Sequence, residues 1–272
     1  MKKELTPEAA AKLASQILSK PKYRNINIPA ATVVSLINEA AVNCKNPKEI
    51  NKAVEEKLHN IVALYLGEAD YSVFYDRLDE VLATGSRDEL LRFSRELLSG
   101  HQSTEERLND IDTFYDTIFS HTGVPSVIAD VACGLHPFAL PFMNLPANAC
   151  YCAYDLNEPR INAIDTYIKK LGYAGGGFHE DILVNPPERE FDAVFFFKEA
   201  HRFEKRKKGC LNEFFKSMNT HCLVVSLPIR DLHNVYDLSE RHDALIEKAA
   251  EGMNWEISTA DHGSERLYFI KK

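Results

Sequence analysis

Cysteine is scarce in this chain: six in 272 residues, with no Cys-x-x-Cys pair. That excludes a disulfide-built scaffold and the common zinc ribbons, so Cys44, Cys133, Cys150, Cys152, Cys210 and Cys222 read as reduced thiols, several of them within apolar runs. Long apolar segments are missing too. No stretch suits a membrane span, and Met1-Lys-Lys-Glu-Leu-Thr-Pro7 lacks the apolar centre of a signal peptide, so a soluble cytoplasmic protein without a membrane partner is expected. Positive charge is in deficit, with a formal net charge of −8. Such a chain does not coat nucleic acid indiscriminately, because that binding rests on neutralising phosphates. Glycine is sparse where it would matter for a dinucleotide: the Gly-x-Gly-x-x-Gly cradle is absent, which argues against a pyrophosphate site.

What the chain does have is the pair of segments Ser126-Val-Ile-Ala-Asp-Val-Ala-Cys-Gly-Leu-His-Pro137 and Ala149-Cys-Tyr-Cys-Ala-Tyr-Asp155. A β-type run ends in a tight turn at Gly134 that opens a helix at Pro137, and a second β-type run ends in a carboxylate. Gly134 has no Cβ to obstruct a close ligand, and Asp155 stands where an α/β fold binds ribose hydroxyls. S-adenosylmethionine has a ribose and an adenine but no phosphate, and it fits this set. Asp181, in His179-Glu-Asp-Ile-Leu183, is the candidate for the adenine amino group. The competing reading is an ordinary βαβ turn with surface acids.

The first hundred residues are helical in pattern. Thr6 caps a helix with Pro7 at its first position, and further helices are predicted over 29–42, 47–65, 71–83 and 87–98. Ser103-Thr-Glu-Glu106 has the form of a capping box, predicting a helix from 103 to about 119. Beyond Pro125 strands alternate with helices. Strands are predicted at 126–131, 150–154, 177–179, 191–197, 222–227, 255–258 and 267–270, and helices at 160–171, 205–218 and 239–252. Seven strands with a closing hairpin predict an α/β fold, a class I (Rossmann-like) methyltransferase with a mostly parallel sheet. The expected division is an all-helical N-terminal domain over 1–100 and an S-adenosylmethionine-dependent methyltransferase domain over 101–272.

Methyl transfer from a sulfonium is an in-line displacement, so catalysis is mainly positioning in a dry pocket. Asn185-Pro-Pro-Glu188 resembles the base-holding segment of amino-methylating enzymes, but it precedes the fourth strand and ends in a residue that cannot stack, so a turn is expected there. The fourth strand leads instead into Lys198-Glu-Ala-His-Arg-Phe-Glu204. No cysteine is present in this segment to attack a pyrimidine. A guanine N7 has its own lone pair and needs no general base, which suits the segment. Lys198 either orients cofactor or acceptor, or extends along apolar surface as a structural lysine. Basic residues concentrate at Lys20-Pro-Lys-Tyr-Arg24 with Lys45, Lys48, Lys52 and Lys57, and at 201–208; each run is an RNA-facing patch or a solvated helix face.

Taken in order, His101-Gln-Ser-Thr-Glu-Glu-Arg107, Asp130-Val-Ala-Cys-Gly-Leu-His-Pro137, Phe197-Lys198 with Glu204, Ser226-Leu-Pro228 and Gly263-Ser-Glu-Arg-Leu-Tyr268 resemble the successive motifs of the aminoglycoside-resistance 16S ribosomal RNA guanine-N7 methyltransferases, the ArmA, RmtB and Sgm group. Ser19-Lys-Pro-Lys-Tyr-Arg24, Pro29-Ala-Ala-Thr-Val33 and Lys57-Leu-His-Asn-Ile61 extend the resemblance over nearly the whole chain. It implies a helical N-terminal domain that helps dock the 30S subunit and a Rossmann-like domain that binds S-adenosylmethionine and acts on 16S rRNA, with aminoglycoside resistance as a consequence; a monomer is expected. Carried over, Arg107 holds the cofactor carboxylate; Ala132 and Gly134 line its methionine end; Asp155 and Leu156 take the ribose; Asp181 and Ile182 frame the adenine. Lys198 and Glu204 occupy catalytic positions, and Lys20, Lys22, Arg24, Lys57 and Arg230 face RNA. Nearby Glu105 or Asp110 are alternative partners for Arg107. No metal is implied.

The chain departs from the family on the RNA-facing side. Val34 and Ser35 stand where the family usually places two arginines, and Ile229-Arg-Asp-Leu-His-Asn-Val-Tyr236 replaces a basic, glycine-rich loop, leaving Arg230 as its one basic substitute. Fewer salt-sensitive phosphate contacts are expected. Another RNA or a small molecule as acceptor, or a cofactor-sensing or RNA-binding module without turnover, are the competing functions.

Overall fold

A computed structural model describes residues 5–24, 26–63, 71–231 and 235–272. Helices α1 (Pro7–Leu18), α2 (Pro21–Arg24), α3 (Ala30–Asn43) and α4 (Pro47–Val62) come first. The Thr6 and Asn46 side chains accept from the Ala9 and Glu49 amides, each cap followed by a proline at the first turn. Their apolar stripes, including Ala14, Ile17, Val33, Ile37, Val54 and Leu58, close on one another and around Tyr23 in a separate core. The predicted continuation of α4 through 64–65 lies outside the described residues.

The next helices, α5 (Phe74–Ala83) and α6 (Arg87–Leu98), bury Phe74, Leu78, Phe93 and Leu98 in a different cluster. That cluster also holds Ile128, Tyr151, Phe195 and Phe269 of the sheet. The apolar residues of α1 to α4 thus cluster apart from those of α5 and α6, which pack with the sheet. The helix predicted over 103–119 is two: α7 (Gln102–Glu105) and α8 (Ile111–Thr122). His101, not Ser103, supplies the cap, its ring accepting from the Ser103 amide, and the break between the helices contains Arg107.

Strands β1 (Val127–Val131), β2 (Cys150–Asp155), β3 (Ala174–His179), β4 (Phe191–Phe197), β5 (Thr220–Pro228), β6 (Glu256–His262) and β7 (Glu265–Lys271) form one sheet in the order β3-β2-β1-β4-β5-β7-β6. The first five run parallel, and β7 is antiparallel to both β5 and β6. The expected closing hairpin is present, turning between His262 and Glu265. Helices α9 (Leu140–Met143), α10 (Glu158–Lys170), α11 (Ala200–Arg206), α12 (Cys210–Ser217) and α13 (Ser239–Ala249) complete the chain. The helix expected at Pro137 is a 3-10 turn, His136–Ala139, running into the short α9. The helix expected over 205–218 is divided between α11 and α12, because Gly209 adopts a left-handed φ of 81° that no helix interior accommodates.

Chain order reverses about β1: β2 lies on one side and β4 on the other. Open α/β sheets bind ligands at the carboxyl ends of strands at such a point. The N-terminal helices meet this region, since the Glu158 amide at the start of α10 donates to the Ile26 carbonyl at 3.1 Å and Asn27 bonds the Glu158 carboxylate. All six cysteines are free thiols, five of them buried, as their spacing predicts. Among the described residues no helix is long and apolar enough to cross a membrane.

Candidate functional site

A cavity of about 360 Å³ opens at the carboxyl ends of β1 to β4. Its walls come from the segments the sequence singled out: Ala132, Cys133 and Gly134 after β1, Asp155 and Leu156 at β2, Glu180, Asp181 and Ile182 after β3, and Glu199 after β4. Lys57, Asn60, Ile61 and Ala63 from the end of α4 close it from the N-terminal side.

The β1 turn is strained in a defined way. Ala132 and Gly134 both have left-handed backbone, φ 53° and 56°. A non-glycine residue seldom holds that conformation unless its surroundings impose it, and such positions concentrate at ligand sites. Here the Cys133 amide donates to the Tyr154 carbonyl at 3.0 Å and the Gly134 amide to Asp155 Oδ2 at 3.0 Å, so β2 holds the turn. A buried network backs it: His136 Nδ1 lies 2.8 Å from Asp130, and the Tyr151 hydroxyl donates to the same carboxylate at 2.7 Å.

Asp155 is buried. Its Oδ2 accepts from Gly134 and from Arg160 Nη1 at 3.3 Å, while Oδ1 accepts from the Asn157 amide at 2.9 Å. A carboxylate oxygen has two lone pairs, so among the described residues Oδ1 retains acceptor capacity for a hydroxyl. Asp181 is also buried, but Arg206 holds both of its oxygens and the Leu183 amide donates to one of them. The structure thus brings Asp181 and Ile182 to the cavity with the Asp181 carboxylate already engaged by Arg206.

Arg107 lines the cavity but pairs with neither Glu105 nor Asp110. Its Nε and Nη2 donate to the two oxygens of buried Glu265 at 2.6 and 2.7 Å. Lys198, also left-handed at φ 58°, bonds Glu106 through its ammonium at 2.5 Å and lies 3.2 Å from Glu265. Burial opposes ionisation of Glu265, yet the Arg107 and Lys198 charges outweigh it and hold its carboxyl at about 2. Glu199 is the opposite case: burial prevails over its 2.7 Å contact with Arg202 and raises it to about 7. Lys198 stands behind the cavity wall. Glu204 is brought elsewhere: its carboxylate accepts from the Gly209 amide at 2.6 Å and faces a second, smaller cavity with Leu245 and Lys248.

The expected RNA contacts are largely engaged within the chain. Lys20 and Lys22 both pair with Glu55, and Lys57 pairs with Glu39 at 2.6 Å beside the main cavity. Arg24 is exposed, and Arg230 forms an isolated β-bridge with Asp237. The loop after β5 is pinned by Asp231, whose carboxylate accepts from the Val235 and Tyr236 amides; residues 232–234 lie outside the described residues. Sequence reasoning missed Glu265 and Glu199. Glu265 had a signal: strand alternation places it on the face of Leu267 and Phe269, where a carboxylate is anomalous.

A doubly wound sheet with a seventh, antiparallel strand, a single close glycine turn and an acid ending β2 defines the class I methyltransferase fold. The profile of the family described as ribosomal RNA methyltransferase (FmrO) matches residues 19–270, and the chain belongs to that family. A 16S rRNA (guanine(1405)-N(7))-methyltransferase of Micromonospora echinospora is 27% identical over 270 residues, covering 98% of each chain. The solved structure of the 16S rRNA methylase RmtB aligns with a TM-score of 0.73 at 26% identity, covering 98% of this chain and 99% of its own. The 16S rRNA methyltransferase RmtF, solved with S-adenosyl-L-homocysteine, has the same fold, with a TM-score of 0.74 at 22% identity over 98% of this chain and all of its own.

Proposed function

We propose that this chain transfers a methyl group from S-adenosylmethionine to N7 of a decoding-region guanine in 16S rRNA, acting as a monomer on the 30S subunit in the cytoplasm. The observation that carries this reading is Asp155: a buried carboxylate with remaining acceptor capacity, joined to the Gly134 amide at the rim of the cavity. Family membership and the names of the 16S rRNA guanine-N7 relatives support the acceptor.

The cavity fits the cofactor. Asp155 with Leu156 would take the ribose, Ile182 and the Asp181 segment the adenine, and Ala132, Gly134 and Arg107 the methionine end. When bound, S-adenosylmethionine supplies an electrophilic methyl group. The protein's own residues hold and orient. N7 attacks with a ring lone pair and releases no proton, so alignment and exclusion of water carry the rate, without a base. In this reading Lys198 acts from behind the wall, by setting the charge around Arg107 and Glu265, and Glu204 stays outside the reacting assembly. Lys20, Lys22, Arg24, Lys57 and Arg230 contact RNA in this proposal, with Glu55 and Glu39 giving up their lysines to phosphate. Methylation of the decoding site would make the host tolerant of aminoglycosides that bind there.

The test is chemical. Intact 30S subunits treated with protein and S-adenosylmethionine should gain one guanine in 16S RNA that cleaves after borohydride reduction and aniline. Methylated subunits with no new cleavage would point to another atom, and no methylation of 30S would contradict the reading.

A further inference from the structure

We propose that Glu265 is a positioning residue for the cofactor's carboxylate, locking Arg107 by one edge so that its remaining nitrogen, Nη1, serves the ligand. The inference rests on the cofactor reading above and deepens it.

Arg107 lies in the break between α7 and α8, where no helix backbone constrains its approach. Its guanidinium is nonetheless fixed from three directions. Glu265, the first residue of β7, takes Nε and Nη2 in a two-point fork. Ser226 on the neighbouring β5 accepts from Nη2 at 3.2 Å. The rings of Phe114 and Phe197 each lie 4.8 Å from the guanidinium carbon. An arginine so held has lost its rotamer freedom before any ligand arrives, and a planar fork presents its third nitrogen in a fixed direction. Among the described residues Nη1 makes no hydrogen bond, and Arg107 lines the cavity.

Charge balance explains how such an arginine can be buried. Arg107 and Lys198 face Glu265 and Glu106, so the wall is neutral without ligand. Glu265 therefore acts through orientation, and its removal should affect only ligands that carry the methionine carboxylate. The opposite possibility, Glu265 as a stand-in that competes with the ligand for Arg107, makes the opposite prediction.

The experiment compares S-adenosylhomocysteine with 5′-methylthioadenosine, which keeps adenosine and sulfur but lacks the amino-acid end. Both are titrated calorimetrically into the unmodified chain and into Glu265→Gln. The fork's charge is lost in the variant, so affinity for S-adenosylhomocysteine should fall about tenfold, the loss of one charge-assisted contact, while that for methylthioadenosine stays unchanged. KM for S-adenosylmethionine should rise with kcat little altered. A Glu265→Gln chain that binds S-adenosylhomocysteine as tightly as the parent, or more tightly, overturns the proposal. If that chain does not fold, Ser226→Ala decides: it keeps the Glu265 fork and should show a smaller loss, about threefold, again confined to S-adenosylhomocysteine. Equal losses for both ligands, or none, would overturn it. Failure of the unmodified chain to bind either ligand would instead sink the cofactor reading itself.

Discussion

The carboxyl edge of the sheet and the lysine-bearing face of α2 to α4 are both rich in charge, yet they are built on different terms. At the sheet edge Asp155, Asp181, Arg107 and Glu265 are buried, and each is fixed by fork contacts or backbone amides at stated positions. On the helical face Lys20, Lys22 and Lys57 are at least a third exposed and share single contacts with Glu55 and Glu39. Buried charges demand partners and hold geometry, whereas exposed pairs contribute little and can be exchanged for other anions. A site for one small molecule suits the first kind of construction. A face that trades carboxylates for phosphates suits the second.

The contrast is sharpest under mutation. Arg107→Ala would leave Glu265 buried with Lys198 as its remaining cation, and should destabilise the chain by about 3 to 5 kcal/mol in urea unfolding. Asp155→Ala should weaken S-adenosylhomocysteine binding by about 1 to 3 kcal/mol, the cost of stranding buried donors, and an unchanged affinity would show that the ribose site is misassigned. Glu199 gives a pH test. Its folded value near 7 is above its ordinary 4.5, so its burial costs nothing below about pH 4.5 and progressively more as pH rises towards 7. Glu199→Gln should accordingly stabilise the chain at about pH 8 and lose that advantage by about pH 5; a constant difference across that range would refute the assignment. Smallest should be the effect of replacing Lys20, Lys22 and Arg24 together by alanine: less than about 1 kcal/mol in stability. Affinity for 30S should nevertheless drop and vary less steeply with salt. Equal loss of cofactor binding in that variant would erase the distinction between the two regions.

The same contrast separates what could be read from the sequence. The positions of the strands and the β1 and β2 ends were legible because apolar runs followed by Gly134 or closed by Asp155 are local patterns with one structural meaning. The boundaries that failed were also local: His101 outcompeted Ser103 as a cap, and Gly209 divided a helix that periodicity joined. Pairings over long separations were not legible. Arg107 with Glu265, Asp181 with Arg206 and Lys20 with Glu55 depend on which elements meet, and the sequence offers each cation several acids at comparable cost. Glu265 was the exception in principle, since a carboxylate on the core face of an apolar strand calls for a buried cation. Which core a helix joins was not legible either, because α5 and α6 share the helical periodicity of α1 to α4, although their apolar faces pack against the sheet.

Backbone amide hydrogen exchange with and without S-adenosylhomocysteine tests the central claim most directly, because it reports where the ligand lodges. Protection on binding is expected over 132–136, 155–157 and 181–183, with the α1 to α3 amides unchanged. Exchange unaffected in those three segments at saturating ligand, or protection confined to other parts of the chain, would contradict a cofactor site at the edge of this sheet.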